Sequence, residues 1–127
     1  MADRSVEDAI VVVGVCGAGK STLVKGLRAL GYRARECVQE HSYVPTLWRR
    51  HGRPRVLIYL DAGAETVSRR LGVRWDERVL EAERERLALA RANCDLYLET
   101  DGLTVEEVRQ VVLCFLEGHR PTGLGSP

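Results

Sequence analysis

One stretch limits what this chain can fold into more than any other: Gly14-Val15-Cys16-Gly17-Ala18-Gly19-Lys20-Ser21. It fits G-x-x-x-x-G-K-[ST], the pattern of a loop that wraps a phosphate. Its flanks agree with that pattern. Ahead lies Ala9-Ile10-Val11-Val12-Val13, an unbroken run that reads as a strand buried on both faces. Behind come Leu23, Val24, Leu27 and Leu30, which fall on one stripe of a helix. Glycines let the backbone aim successive N–H groups inward, and the helix N-terminus adds its dipole and unpaired donors. Lys20 is placed to reach outer phosphates, and the Ser21 hydroxyl to sit on a magnesium ion. Gly14, Cys16, Gly17, Ala18, Gly19, Lys20, Ser21 and Thr22 are therefore the candidate binding residues for a nucleoside triphosphate, ATP or GTP, with Mg²⁺.

The 127 residues make one domain, expected over residues 1–117 and followed by a frayed tail over 118–127. A net charge of +1 argues against nucleic-acid and membrane partners. No run approaches the roughly 20 apolar residues of a membrane span, nor the apolar core of a signal peptide, so a cytoplasmic protein is expected. Cys16, Cys37, Cys94 and Cys114 lie far apart with no C-x-x-C pair, which predicts reduced and mostly buried thiols. Cys16 stands near a helix N-terminus, which can lower a thiol pKa; the plainer reading is a small filler residue in the loop.

Beyond Gly31, a helix stop, Tyr32 to Val38 alternates as an edge strand does, with Ala34, Glu36 and Val38 set against Arg33, Arg35 and Cys37. Gln39, Glu40 and His41 follow its carboxyl end, the side on which a parallel sheet gathers its site. Glu40 is a candidate magnesium partner or general base, and His41 a candidate phosphate or acceptor contact. Equally, both fit a solvated loop in which Ser42 or Thr46 caps a short helix over residues 46–51. The basic run Arg49, Arg50, His51, Arg53 and Arg55 reads as a solvated helix end.

Val56-Leu57-Ile58-Tyr59-Leu60-Asp61 predicts a central strand, a helix runs from about Ala64 to Leu71, and Gly72 ends it. Asp76 caps a long helix to about Ala92, with Val79, Leu80, Leu87 and Ala90 inward and Glu81–Arg84 and Glu83–Arg86 paired on a solvated face. A last strand, Asp95 to Glu99, precedes a capping box of Thr104 and Glu107 that opens a final helix burying Val105, Val108, Val112, Phe115 and Leu116. The expected fold is α/β, a parallel sheet of four strands in the order 2-1-3-4 flanked by helices.

Two readings of Asp61 stand. An apolar strand ending in Asp fits the Walker B pattern, whose carboxylate orders the magnesium shell. Alternatively, Asp61-Ala62-Gly63-Ala64-Glu65 with Arg69 and Arg70 resembles the stretch that opens the lid of small P-loop kinases, where the Asp is no metal ligand and nearby arginines clasp phosphates. Arg74, Arg78, Arg84 and Arg91 are candidate lid arginines, Arg74 foremost.

The order of these segments, with Arg86-x-x-x-Ala90-Arg91-Ala92-Asn93 leading into Asp95-Leu96-Tyr97-Leu98-Glu99-Thr100-Asp101-Gly102-Leu103, resembles the small P-loop kinases such as shikimate, gluconate and adenylylsulfate kinases. The resemblance implies that Thr100, Asp101 and Gly102 approach the adenine. The chain departs from it in one respect: only about 35 residues separate Ser21 from Val56, too few for the acceptor-binding subdomain of those kinases. Three functions follow. The first is a Mg²⁺-dependent phosphotransferase or NTPase acting on a small acceptor, with Lys20, Glu40 and Arg74 in catalysis. The second is a non-catalytic nucleotide-binding module that regulates a protein partner. The third, a nucleic-acid end kinase, is disfavoured by the charge. The shortened acceptor region and an exposed edge at strand two also allow a homodimer.

Overall fold

The computed structural model describes residues 10–118. Four strands form one sheet in the expected order β2-β1-β3-β4: β1 (Ile10–Gly14), β2 (Ala34–Glu36), β3 (Val56–Asp61) and β4 (Leu96–Glu99). Every pairing is parallel. Every residue of β1 and β3 is buried, as the apolar runs predicted, because central parallel strands are covered on both faces. Each such Val, Leu or Ile contributes roughly 1.5–3 kcal/mol, so this strand pair anchors the sheet.

The edge strands are less buried. β2 spans only Ala34–Glu36, shorter than the predicted 32–38, since its ladder ends where the Cys37 N–H meets the Val12 carbonyl at 2.9 Å. Ala34 and Cys37 are buried while Glu36 and Val38 are exposed, so the strict alternation expected here fails. The chain then takes two single 3₁₀ turns, Gln39–His41 and Leu47–Arg49, the second replacing the predicted helix over 46–51. Neither turn has a side-chain cap; Ser42 Oγ accepts instead from the Val44 N–H.

The helices are α1 (Lys20–Ala29), α2 (Ala64–Leu71), α3 (Glu77–Arg86), α4 (Ala88–Asn93) and α5 (Val105–Gly118). α1 packs on β1, β2 and α5, and α4 packs on β3. α1 buries Leu23, Val24 and Leu27, but Leu30 is exposed because the helix ends before it. The long helix expected after Asp76 breaks at Leu87 into α3 and α4; Asp76 caps it as expected, accepting from the Arg78 N–H at 2.9 Å. Leu80, Leu87 and Ala90 are buried there, whereas Val79 faces outward. The capping box of α5 forms, with Thr104 N–H on Glu107 Oε1 at 2.9 Å and Glu107 N–H on Thr104 Oγ1 at 3.0 Å. Val108, Val112 and Leu116 carry its buried face; Val105 is exposed and Phe115 half-buried. Gly118 closes α5 instead of opening the tail, and residues 119–127 lie outside those described. All four cysteines are free thiols, but only Cys37 is buried. Among the described residues no helix is long and apolar enough to cross a membrane.

The strand order reverses between β1 and β3, and their carboxyl ends bound the crevice where α/β sheets bind ligands. Gly14 makes that junction possible. A Cβ at this position would lie 2.1 Å from the Leu60 carbonyl oxygen, so the loop leaves β1 in contact with β3 only if residue 14 has no side chain.

Candidate functional site: an anion cradle beside a cavity

The glycine-rich loop turns into α1 at Gly19, whose φ of +104° is open to glycine and strained for any other residue. Inside the loop, the Cys16 N–H donates to Glu83 Oε1 at 3.0 Å. Glu83 comes from α3 and is 1% exposed. Its predicted place on a solvated face, paired with Arg86, is therefore corrected. Three residues from Leu80 and four from Leu87, both fully buried, it shares their inward side of the helix. A carboxylate oxygen thus sits on a loop N–H. Burial, then the Glu83 charge, push the Cys16 thiol pKa up, the reverse of what the helix N-terminus alone would do.

Lys20 folds back instead of reaching outward. Its ammonium donates to the Gly14 carbonyl at 3.0 Å, the Val15 carbonyl at 3.1 Å and Glu40 Oε2 at 2.9 Å. All three of its donors are thereby used. Lys20 and Glu40 are 5% and 2% exposed, so this is a buried ion pair. The structure brings these two sequence candidates together, one from the loop and one from the turn after β2. The other Glu40 oxygen, Oε1, is buried with no hydrogen-bond partner among the described residues. His41 is exposed, with Nε2 3.6 Å from Glu40 Oε2. Gln39 pins this segment from within: its amide donates to the Val44 carbonyl at 2.7 Å and accepts from the Trp48 N–H at 3.0 Å. Arg86 clamps it from α3, donating to the Glu40 carbonyl at 3.0 Å and stacking on Tyr43.

Asp61 has protein partners on both oxygens. Oδ1 accepts from Arg84 Nε at 3.2 Å, Arg84 Nη2 at 3.0 Å and the Ala62 N–H at 2.9 Å, and Oδ2 accepts from the Tyr97 hydroxyl at 2.7 Å. Burial works against the Arg84 charge, but the Asp61 hydrogen bonds and charge outweigh it and raise the guanidinium pKa. Burial, reinforced by the bond to Asp61, drives the Tyr97 phenol far above its ordinary range. Of the other candidate lid arginines, Arg74 is exposed between α2 and α3, Arg78 lies near its own cap Asp76, and Arg91 stacks on the Tyr97 ring.

Arg70 is the arginine that touches the loop. Nη1 donates to the Gly17 carbonyl at 3.1 Å and Thr100 Oγ1 at 2.9 Å, and Nη2 to the Thr100 carbonyl at 2.6 Å. Thr100, 1% exposed, also donates to the Ala18 carbonyl at 3.0 Å, tying the end of β4 to the loop. Beside this knot lies a cavity of about 270 Å³, lined by Ala18, Gly19, Thr22 and Leu23 on one side and by Arg70, Thr100, Leu103, Val105, Val108 and Arg109 on the other. Of the turn residues expected near a base, Thr100 lines it and Asp101 and Gly102 do not. Asp101 accepts from the Gly63 N–H at 3.0 Å and from the Thr66 hydroxyl; burial opposes its charge, but these bonds lower its pKa. A second, more open cleft of about 730 Å³ lies between Ser42, Tyr43 and Pro45 and the side of α3 and α4 that carries Glu85, Arg86 and Leu89.

No protein-family model matches the sequence, and no curated protein matches it at a significant level. The residues that sequence reasoning missed are Glu83 and the α5 wall of the cavity, while Arg70 was named only together with Arg69, through the resemblance. Glu83 carried a readable signal, a carboxylate at the spacing of a buried stripe. Arg70 did not, since nothing in its spacing separates it from Arg69.

Proposed function

We propose that this chain binds a nucleoside triphosphate with Mg²⁺ on the loop of residues 14–21 and acts as a small P-loop kinase or NTPase. The observation that carries the reading is the Glu83 carboxylate held on the Cys16 N–H. The loop already accommodates an oxyanion, and the carboxylate oxygen stands in for a phosphate oxygen. The cavity bounded by Ala18, Gly19 and Thr22 lies beside that anion, where the base and ribose of a nucleotide would extend. Its Leu, Val and Arg lining suits a flat, partly apolar ring.

Ser21, exposed at the start of α1, and Glu40, with a free buried oxygen, fit the second shell or ligation of magnesium. Asp61 fits it poorly, because both its oxygens are engaged, and its reading as a strand-end anchor for Arg84 is preferred. When bound, Mg²⁺ would shield the phosphate charge. Lys20 would exchange the Gly14 and Val15 carbonyls for phosphate oxygens, leaving Glu40 beside the outer phosphate to take a proton from an acceptor hydroxyl or water. Arg70, already on the loop, is better placed than Arg74 to stabilise transferring charge.

One observation favours the non-catalytic module. Between Glu36 and Val56 the chain forms only two single 3₁₀ turns, which offer little wall for an acceptor. Calorimetric titration with MgATP and MgGTP, paired with turnover assays, tests both readings against Lys20→Ala. Binding with turnover, both lost in the variant, is expected for the enzyme; binding without turnover assigns the module. No binding by the parent chain, or the same affinity in the variant, overturns the proposal.

A further inference from the structure

We infer that Cys16, His41 and Glu83 form a binding site for a thiophilic divalent cation of the zinc type, set across the mouth of the glycine-rich loop. The three come from separate segments: the loop, the 3₁₀ turn after β2, and α3. One donor atom from each, the Cys16 sulfur, a His41 ring nitrogen and a Glu83 carboxylate oxygen, lies within 4.8 Å of the other two. Tetrahedral zinc, with bonds of roughly 2.0–2.3 Å, needs donors about 3.5 Å apart. His41, the exposed member of the three, has the most room to move in on the ion.

The chemistry of the donor set selects the metal. Thiolate and imidazole favour zinc over magnesium or calcium, whose ligands are oxygens. The thiolate and the carboxylate together balance the two charges of the ion. Binding replaces the thiol proton, which leaves to solvent, and no electron is transferred.

A second observation lies beside His41. Glu40, next to it in the chain, is 2% exposed, and its Oε1 has no hydrogen-bond partner among the described residues. A buried acceptor of this kind costs stability unless it is met, and Oε2 of the same carboxylate lies 3.6 Å from His41 Nε2. Glu83 Oε1 already accepts from the Cys16 N–H. That backbone bond orients the ligand, as outer contacts do in metal sites.

The test is titration of the reduced full-length chain with Co²⁺ alone, without nucleotide, followed by displacement with Zn²⁺. Its outcome does not depend on nucleotide binding. One equivalent of Co²⁺ is expected to give a thiolate-to-cobalt charge-transfer band that Zn²⁺ abolishes and that Cys16→Ser lacks. His41→Ala changes an exposed side chain and leaves the fold intact. It should weaken the site at least roughly tenfold, the lower bound known for outer-shell partners. Absence of the band, its persistence in Cys16→Ser, or unchanged affinity in His41→Ala would overturn the assignment.

Discussion

Glu83 Oε1 lies 3.0 Å from the backbone nitrogen of Cys16, so a carboxylate from α3 is seated on the glycine-rich loop. Under the proposed function, an entering phosphate competes with it for that N–H. Glu83→Gln removes the negative charge at nearly constant shape. A hydrogen bond to a charged group is worth about 1.5–3 kcal/mol, so the substitution should tighten nucleotide or pyrophosphate binding by about tenfold or more. Calorimetry on the two proteins checks this, and equal or weaker binding by the variant would show that Glu83 does not compete.

Lys20 and Glu40 illustrate a different balance. Their buried pair is satisfied as it stands, but removing one partner strands the other. Lys20→Ala should therefore cost about 3–5 kcal/mol of stability as well as phosphate affinity. Adding Glu40→Gln to Lys20→Met should recover much of the stability and none of the binding. Denaturant midpoints compared with calorimetry separate the two effects. A Lys20→Ala protein as stable as the parent would mean that the pair does not form.

How far the sequence reveals this molecule follows from what each residue depends on. β1, β3 and the glycine-rich loop were legible because their patterns are local: unbroken apolar runs, glycines, and a lysine at fixed spacing. The strand order followed from right-handed crossovers. The partners of charged residues were not legible. Arg84 on Asp61, Glu83 on Cys16 and Arg70 on Thr100 join residues 23, 67 and 30 positions apart, and only the packing of α2 and α3 over the sheet brings them together. The break at Leu87 was equally hidden, since the apolar spacing continues through it.

Asp61 tests which of its two sequence readings applies. Asp61 is shared by Arg84 and Tyr97, and under the anchor reading its role is stability. Asp61→Asn should lower stability by about 2–4 kcal/mol, because it weakens a largely buried, charge-assisted network. It should leave the Mg²⁺ dependence of nucleotide binding unchanged. A selective loss of that dependence in a stably folded variant would restore the metal-ligand reading.

Asp101 gives the fold an acid-sensitive contact. Its folded pKa is depressed by bonds from Thr66 and the Gly63 N–H, so its contribution is present above the unfolded carboxylate value and is lost as pH falls through the folded one. Thr66→Val should cost about 1 kcal/mol near neutral pH, kept small by the exposure of Asp101. The difference from the parent chain should shrink below about pH 4. Unfolding curves across that range decide it; a gap that stays constant into acid would rule out the Asp101 carboxylate as its source.

Under the proposed function, the cavity between α1 and α5 would hold the base apart from the phosphate. Leu103 lines it from the turn after β4 and takes no part in the loop. Leu103→Trp would put an indole into this cavity of about 270 Å³. Leu103 is only half-buried, so the extra volume extends toward solvent instead of forcing the core apart. If the base lies here, MgATP affinity should fall by about tenfold or more, equivalent to roughly 1.4 kcal/mol of lost contact. Binding of inorganic pyrophosphate, which needs only the loop, should stay the same. Loss of both ligands together would point to damage transmitted to the loop, and retention of both would place the base elsewhere. Only the split between them locates the base beside Thr22 and Thr100 and ties the cavity to the anion cradle as two halves of one nucleotide site.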